Sequence, residues 1–308
     1  MKVFLTGGTG FVGREILHQL HTANHNIRLL ARNPGSAALR ELRARYNVEP
    51  VAGDVTDAQS LSGALTGCDA VIHLVGIISE VGNQTFENIH VRGTENVVRA
   101  AQTTGIRRYL HMSALGTQLN ARARYHQSKW AAEQLVRNSG LDWTIFRPSI
   151  IYGPGDQFVN MYLDMARFSP VLPVIGGHKT KFQPVAVQDV ATCFVKALTE
   201  PRAIGRTFDL CGPDTFTLEE ILRTALAVTG RRRLIVRIPY ALARMQAALF
   251  EFIYPRMFGK APPLNRDQLL MLQQDNVGNP QDAIEILGLK PRRFAEELSA
   301  YLSSAKPC

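Results

Sequence analysis

Short apolar runs alternate with amphipathic segments along the first half of the chain. The first run, Val3, Phe4 and Leu5, has the length and composition of a buried parallel strand, and the residues after it repeat apolar positions at helical spacing. By the same criteria we predict further strands at residues 26–31, 48–53, 70–75, 108–113 and 142–147, with helices near 57–66, 86–104 and 121–139. This alternation predicts an α/β fold with a doubly wound, mostly parallel sheet.

The strand–helix rhythm loosens after residue 150. Glycine and proline interrupt the chain at 153–155, and residues 172–177 are predicted to form a loop-rich excursion. A helix at 188–198 and a strand at 207–211 are expected to return to the sheet. Thr217 and Glu220 have the spacing of a capping box, which predicts a helix to about Val228, although a T-x-x-E sequence also occurs by chance.

A glycine-rich turn follows the first strand. Gly7, Gly10 and Gly13 have the spacing G-x-x-G-x-x-G, which permits a tight turn, a close approach to a pyrophosphate and close packing of helix on strand. The positive end of the helix dipole would then face the phosphates. We therefore predict a Rossmann-type dinucleotide site contacted by Gly7, Thr9, Gly10, Phe11, Val12 and Gly13. An ordinary strand–helix turn is the alternative.

These patterns predict two structural units. Residues 1–152 and about 185–212 would form the dinucleotide-binding domain. Residues 153–184 and 213–308 would form a smaller, mainly C-terminal α+β lobe for a substrate or partner.

Three strand ends offer further contacts to the cofactor. Arg32 stands where an NAD-preferring site carries an acid, and its guanidinium suits a 2′-phosphate, so NADP(H) is preferred and NAD(H) is the alternative. Asp54 follows the third strand and is expected to accept from the adenine amino group, unless it serves as a helix N-cap. The remaining backbone contacts are predicted at Val55, Leu74, Val75 and Gly76.

The candidate chemical group consists of Ser113, Tyr125 and Lys129. Tyr125 and Lys129 are four residues apart, so they share one helix face, and a nearby ammonium would lower the pKa of the phenol. Tyr125 would then exchange a proton near neutral pH, Lys129 would also hold the nicotinamide ribose, and Ser113 would hold the substrate oxygen. A surface helix pair is the alternative. After the sixth strand, Pro148 and Ile151 are expected to bracket the carboxamide.

Composition narrows the class of protein. The 308 residues carry a net charge of +9, and their 45% hydrophobic content excludes disorder. The charge suits an anionic cofactor, an acidic partner or an anionic membrane, whereas no nucleic-acid-reading motif is present and no nucleic acid is expected. The histidines form no metal-binding pattern, so no metal is expected. Four scattered cysteines indicate a reducing compartment, and the early first strand argues against a signal peptide, which together predict a cytoplasmic protein.

One basic and apolar segment stands out in the C-terminal third. Residues 240–258 are mostly apolar or aromatic, with arginines before and within them, and are too short to span a bilayer. Two interpretations are open: a helix in a membrane interface or on a partner, placing the protein peripherally at the inner face of a membrane, or a core helix of the smaller lobe. A second helix is predicted at 267–274, and the tail after Ser303 is predicted to be disordered.

Several motifs in their order resemble the short-chain dehydrogenase/reductase superfamily, in its extended or atypical NAD-dependent epimerase/dehydratase-like branch. They are TGGTGFVG at 6–13, GDVTD at 53–57, HLVG at 73–76, NIHVRGTENV at 88–97, YHQSK at 125–129, FRPSIIYGPGD at 146–156 and QPVAVQDVA at 183–191. SALGT at 113–117, the segment 140–158 and LNRDQLLMLQQDNV at 264–277 are similar to bacterial relatives of the NAD(P)H-binding accessory subunit of respiratory complex I.

The narrower resemblance implies NADPH held in a structural or regulatory role near a quinone-related membrane enzyme or respiratory protein complex. The retained Ser113, Tyr125 and Lys129 keep a second hypothesis open, an active NADP-dependent reductase, dehydrogenase or epimerase on a small or quinone-like substrate. A third is an NADP(H)-sensing regulator. The substrate and the oligomeric state are open at this point.

Overall fold

The computed structural model describes residues 1–175 and 179–304. The strands of these residues are β1 (Lys2–Thr6), β2 (Asn26–Ala31), β3 (Glu49–Ala52), β4 (Ala70–His73), β5 (Arg108–Met112), β6 (Asp142–Pro148), β7 (Ile151–Tyr152), β8 (Val171–Ile175), β9 (Lys181–Phe182), β10 (Val185–Ala186), β11 (Arg206–Leu210), β12 (Phe216–Thr217) and β13 (Leu234–Ile238). A central parallel sheet has the order β11-β6-β5-β4-β1-β2-β3, which confirms the predicted doubly wound arrangement. The strand order reverses between β1 and β4, where such sheets bind ligands at their carboxyl edge.

Helices cover both faces of this sheet and build most of the smaller lobe. They are α1 (Phe11–Thr22), α2 (Ala37–Tyr46), α3 (Gly93–Thr103), α4 (Arg124–Arg137), α5 (Val159–Phe168), α6 (Val187–Ala197), α7 (Leu218–Val228), α8 (Tyr240–Phe258), α9 (Arg266–Met271), α10 (Gln281–Leu287) and α11 (Phe294–Ser304). A π-helical turn, Glu87–Arg92, runs directly into α3, and a 3-10 turn covers Pro201–Ala203. The predicted helix at 86–104 therefore begins with a π-helical segment.

Side chains alternate between two cores on opposite faces of the sheet. Val3 and Leu5 pack with α1 and α6, whereas Phe4 between them packs with Val71 and Tyr109 under α3 and α4. This two-residue period is what an extended strand imposes. Helix α10 also packs in the core that contains Val3 and Leu5, so part of the C-terminal third lies on the central sheet. The exact division into two units stays a prediction.

The smaller lobe has its own apolar cluster. Helices α5, α7 and α11 pack together there, around Tyr152, Ile221 and Phe294. The capping box that opens α7 is confirmed, since Glu220 N donates to Thr217 Oγ1 and Thr217 N donates to the Glu220 carboxylate. Strand β8 pairs in parallel with β13 across more than fifty residues of chain, so the predicted loop at 172–177 is wrong for 172–175, while 176–177 lie outside the described residues.

The helix predicted at 57–66 is wrong, because this segment forms consecutive turns. Gly63 and Gly67 adopt positive φ angles of 74° and 73°, which end any helical run. The Ser60 hydroxyl donates to the carbonyls of Asp54 and Asp57, so side chains compete for the bonds that a helix would use. Strand β2 has the predicted bounds, and β3, β4 and β5 end one or two residues earlier than predicted.

Helix α8 buries only a narrow face. Ala243 and Ala247 are fully buried, whereas Leu249 and Phe252 are 55% and 59% exposed. The interpretation of 240–258 as a core helix is therefore wrong for its outer face. No helix in the described part of the chain combines the length and apolar character that crossing a bilayer requires. Helix α9 starts near the predicted position but ends at Met271, and the tail after 304 lies outside the described residues.

Candidate functional site

The glycine turn is shaped by contacts that only glycine permits. Gly7 adopts a φ of 75°, and Gly10 N donates to Gly7 O at 3.1 Å. A Cβ on Gly13 would lie 2.3 Å from Gly7 O and 2.5 Å from Gly8 Cα, so any side chain there would displace the turn. Helix α1 begins at Phe11 with neither a side-chain cap nor an acid in its first turn. Its first N–H groups and positive dipole end are therefore available to an anion, which fits the pyrophosphate of a dinucleotide.

The end of β4 lies directly against this turn. A Cβ on Gly7 would come within 3.2 Å of the Leu74 and Val75 backbone, so β1 and β4 approach closely at their carboxyl ends. A Cβ on Gly76 would lie 3.1 Å from Lys129 Nζ. The structure thus brings the predicted backbone contacts at 74–76 between the glycine turn and the candidate chemical group.

The residues predicted around the adenosine occupy the same edge. Arg32 is exposed at the end of β2, and no hydrogen bond or ion pair joins it to another residue of the described chain. The Asp54 carboxylate accepts from Thr56 N at 2.9 Å and from Thr56 Oγ1 at 2.8 Å. The N-cap interpretation of Asp54 is wrong, because turns rather than a helix follow it. Val55 is 4% exposed and contacts Gly93, so its side chain belongs to the core.

Lys129 and Ser113 are both buried beside the end of β5. Lys129 Nζ donates to the Met112 carbonyl at 3.0 Å, and burial lowers the pKa of Lys129 to about 8. Ser113 N donates to Phe146 O, and its hydroxyl donates to Thr117 Oγ1 at 3.4 Å. The structure therefore brings the lysine to the strand end that carries the serine, and the roles of the two residues stay predictions.

Tyr125 packs among aromatic side chains, on the same helix as Lys129. Its ring makes edge contacts with Phe86, His90 and His126 at centroid distances of 6.0, 5.5 and 5.2 Å. Burial raises the pKa of Tyr125 to about 12, so the expected lowering of this pKa by Lys129 is wrong for this structure. The reason is geometric, because the ammonium bonds to the Met112 carbonyl and no hydrogen bond joins it to the phenol among the described residues.

His90 and Ser128 form a hydrogen-bonded chain to the Tyr125 backbone, and no role for either residue is predicted from the sequence. His90 Nε2 accepts from Ile77 N at 2.9 Å, and its other ring nitrogen lies 2.8 Å from Ser128 Oγ. The Ser128 hydroxyl donates to the Tyr125 carbonyl at 2.7 Å. Burial lowers the pKa of His90 to about 2, so the ring is neutral and donates to Ser128. The motif at 88–97 contributes only to the family resemblance, and that resemblance does not identify the contact between His90 and Ser128.

Asp267 holds the start of α4 from the smaller lobe. Its carboxylate accepts from Arg124 N at 2.7 Å and from Tyr125 N at 3.0 Å. The helix has no side-chain cap of its own, since Ala123 stands at the N-cap. Asp267 therefore supplies the cap across 142 residues of chain, and no local sequence signal could have shown it.

The segment after β6 closes the edge of the site. Pro148 is buried, with its carbonyl accepting from Leu115 N at 2.9 Å, and Ile151 pairs with Val185. A Cβ on Gly153 would lie 3.6 Å from the Phe11 ring, so this segment contacts the helix that follows the glycine turn. A groove of about 510 Å³ lies between this segment and α1. Its lining includes Thr9, Gly10, Phe11, Arg14, Pro154 and Gln157. The described residues hold no cluster of three or more potential metal ligands among His, Cys, Asp and Glu.

Comparison with known proteins identifies relatives of two kinds. A family model described as NAD(P)H-binding matches residues 7–201. The NADH dehydrogenase [ubiquinone] 1 alpha subcomplex subunit 9, mitochondrial, of Arabidopsis thaliana is 32% identical over 275 residues, which cover 88% of this chain and 67% of the relative. A ceramide reductase of Caulobacter vibrioides is 30% identical over 238 residues, covering 77% of this chain and 73% of the reductase.

Solved structures show the same fold at lower identity. A dTDP-glucose 4,6-dehydratase from Streptomyces venezuelae, with NAD bound, is 20% identical and superposes with a TM-score of 0.76 over 98% of this chain and 96% of its own. The seven-stranded parallel sheet and its flanking helices therefore have the same Rossmann-type fold as this dehydratase.

Proposed function

Because this chain belongs to the NAD(P)H-binding family, in the epimerase/dehydratase-like branch of the short-chain dehydrogenase/reductase superfamily, we propose that it holds NADP(H) mainly in a structural or regulatory role. The dinucleotide would lie on the glycine turn between Gly7 and Gly13, with its ribose beside Lys129. When bound, the nicotinamide supplies the capacity to exchange a hydride.

One observation carries the structural role over a catalytic one. The Tyr125 ring packs against Phe86, His90 and His126 and its phenol has a raised pKa of about 12, while the Lys129 ammonium bonds to a backbone carbonyl. Proton transfer near neutral pH is most efficient when the pKa of the group lies near the operating pH. The arrangement therefore favours retention of the nucleotide over turnover.

The partner we propose is a respiratory or quinone-related protein complex at the inner face of a membrane. This proposal rests on the relatives, since the Arabidopsis protein is named as a subunit of a ubiquinone-linked NADH dehydrogenase. The chain spans about two thirds of the length of that relative, so the remaining third has no counterpart in the alignment.

A reductase or dehydrogenase acting on a small or lipophilic substrate is the second candidate. Ser113 and Lys129 are both buried beside the end of β5, and Tyr125 lies one helical turn from Lys129 on α4, which supports a role of the three in proton transfer. The ceramide reductase from Caulobacter, which is 30% identical, favours this candidate.

A Tyr125→Phe variant separates the two candidates. In the structural role, the loss of one hydroxyl leaves NADPH affinity within about fivefold, because Tyr125 OH makes no hydrogen bond in the described chain and a lost neutral bond to the cofactor would cost only ~1 kcal/mol. NADPH binding would be followed by its fluorescence, and NADPH oxidation with a short-chain ubiquinone analogue as acceptor. Tyr162→Phe, at a buried tyrosine in the apolar cluster of the smaller lobe, is the control. Wild-type oxidation that disappears only in Tyr125→Phe would establish the reductase instead.

For cofactor choice we predict that Arg32→Asp reverses the preference. The unpaired guanidinium at the end of β2 suits a 2′-phosphate, and an aspartate there would repel it and accept from a 2′-hydroxyl. Charged hydrogen bonds contribute ~1.5–3 kcal/mol, so NADPH affinity should fall by about ten- to a hundredfold while NADH affinity rises. Arg43→Asp, an exposed arginine farther along α2, is the matched control. Equal affinities of wild type for NADPH and NADH would contradict the assignment of Arg32.

A further inference from the structure

The outer face of α8 carries a continuous apolar stripe. Leu242, Met245, Leu249 and Phe252 are spaced three, four and three residues apart, which places them on one side of a helix. They are 50%, 67%, 55% and 59% exposed, and Met257 and Phe258 extend the exposed apolar surface to the helix end. Soluble surfaces show large apolar side chains singly, so a row of this length indicates a contact surface.

The buried side of α8 shows why the stripe has no partner within the chain. The helix packs through Ala243 and Ala247, against Leu269 and neighbouring side chains of the smaller lobe. At 100° per residue these two alanines lie on the side opposite to the stripe. The small residues of α8 therefore pack on the lobe, and the large apolar residues of α8 face outward.

The charges around α8 are almost all positive. Residues 231–260 contain seven basic residues, Arg231, Arg232, Arg233, Arg237, Arg244, Arg256 and Lys260, against one acid, Glu251. Glu251 is neutralised by Arg266, to which it bonds at 2.7 Å. The guanidinium carbon of Arg256 lies 4.1 Å from the centroid of the Phe252 ring, so a cation stacks on the carboxyl-terminal end of the stripe. Arg237 is paired with Glu219 at 2.8 Å, which leaves Arg244, Arg256 and Lys260 as the cations on or directly after α8 that no acid of the described residues pairs with. The charge along α8 is thus positive.

We propose that α8 lies flat in the surface of an anionic phospholipid bilayer, with this stripe in the acyl boundary and the basic residues at the headgroups. The inference rests on the membrane-side position in the proposed function. It adds to that function the docking element and the lipid chemistry. An apolar stripe bordered by cations is the pattern of an interfacial helix. A helical protein partner would be expected to find charges of both signs at the rim, because neighbouring helices pair through opposite charges. The single sign of charge here complements phosphate headgroups.

Vesicle binding tests the proposal on the full chain. We expect the protein to sediment with vesicles of equal parts phosphatidylglycerol and phosphatidylcholine and to stay in solution with phosphatidylcholine alone. The double variant Leu249→Glu, Phe252→Glu should lose at least about tenfold in vesicle affinity through loss of apolar burial. The double variant Arg244→Gln, Lys260→Gln should lose about thirtyfold through loss of two cations. Ile204→Glu, which places the same charge at a 42% exposed apolar residue near the amino end of β11, should bind as the wild type does.

NADPH fluorescence on the same samples keeps the two proposals distinguishable. All variants should bind NADPH as the wild type does, because α8 lies outside the glycine turn. Vesicle binding without NADPH binding would overturn the proposed function and support this inference. Normal NADPH binding with no preference for anionic vesicles, or with unchanged vesicle affinity in the stripe variant, would overturn the inference. A wild-type dimer in sedimentation equilibrium that Leu249→Glu, Phe252→Glu dissociates would also overturn it, because a second copy would then cover the stripe.

Discussion

Replacing Gly13 by valine is expected to abolish NADPH binding while leaving a folded protein of reduced stability. The added Cβ would lie 2.3 Å from Gly7 O and 2.5 Å from Gly8 Cα, both backbone atoms that cannot move aside without opening the turn. The N–H groups that should bind the pyrophosphate would then point elsewhere. Losing two charged hydrogen bonds of ~1.5–3 kcal/mol each lowers affinity by about a hundredfold or more. Fluorescence titration with NADPH measures the effect.

A second glycine variant separates this effect from general destabilisation. Gly205 has a φ of 72° in open space near the amino end of β11, so Gly205→Ala introduces backbone strain of ~1–2 kcal/mol without touching the glycine turn. Its melting temperature should fall while its NADPH affinity stays at the wild-type value. If Gly13→Val retained wild-type affinity, the dinucleotide would have to bind somewhere other than the glycine turn.

Glu133→Gln is expected to cost about 3 kcal/mol in the free energy of unfolding. Glu133 is completely buried on α4 and accepts from Arg147 Nε at 2.8 Å and from Arg147 Nη2 at 2.6 Å. Its carboxylate also accepts from Arg137 at 3.2 Å, and Arg137 donates to Thr207 Oγ1 on β11. Removing the charge leaves two guanidinium groups, 21% and 29% exposed, without their counter-ion. Urea unfolding followed by circular dichroism measures the loss.

Glu95→Gln is the matched control for that variant. Glu95 makes the same type of i,i+4 pair, with Arg99, but on an exposed helix face where the two side chains are 45% and 70% exposed. An exposed pair of this kind contributes less than about 0.5 kcal/mol because water screens it. Equal effects of the two substitutions would show that burial of Glu133 does not govern the stability of α4 on the sheet.

The first half of the fold was accessible from the sequence because its signals are local. Apolar runs of four to six residues mark the central strands, and glycines mark the turns between them, so β2 was placed to the residue. The glycine turn and the strand ends around it were found for the same reason. The helix expected at 57–66 failed where hydroxyl and carboxylate side chains, not apolar spacing, determine the backbone conformation.

The rest of the fold and of the candidate site depends on contacts between segments that are distant in the sequence. Strand β8 needs β13 as its partner, and neither is recognisable alone as a strand. The pair Tyr125 and Lys129 was found from its spacing, but burial raises the pKa of the phenol, and Phe86 and His90 from an earlier segment of the chain pack against its ring. For α8, composition predicted an apolar basic helix, and only packing showed which side of it is outward.

Asp267 links the C-terminal third of the chain to α4 by hydrogen bonds. Its neighbour Arg266 is held by Glu251 of α8, and Asp267 itself receives the first amides of the helix that carries Tyr125 and Lys129. A shortened protein ending before residue 260 would strip that helix of its only side-chain cap in the described structure, which would cost the nucleotide-binding half ~1 kcal/mol of stability. Biochemical work on the cofactor site therefore calls for the C-terminal third to be kept in place.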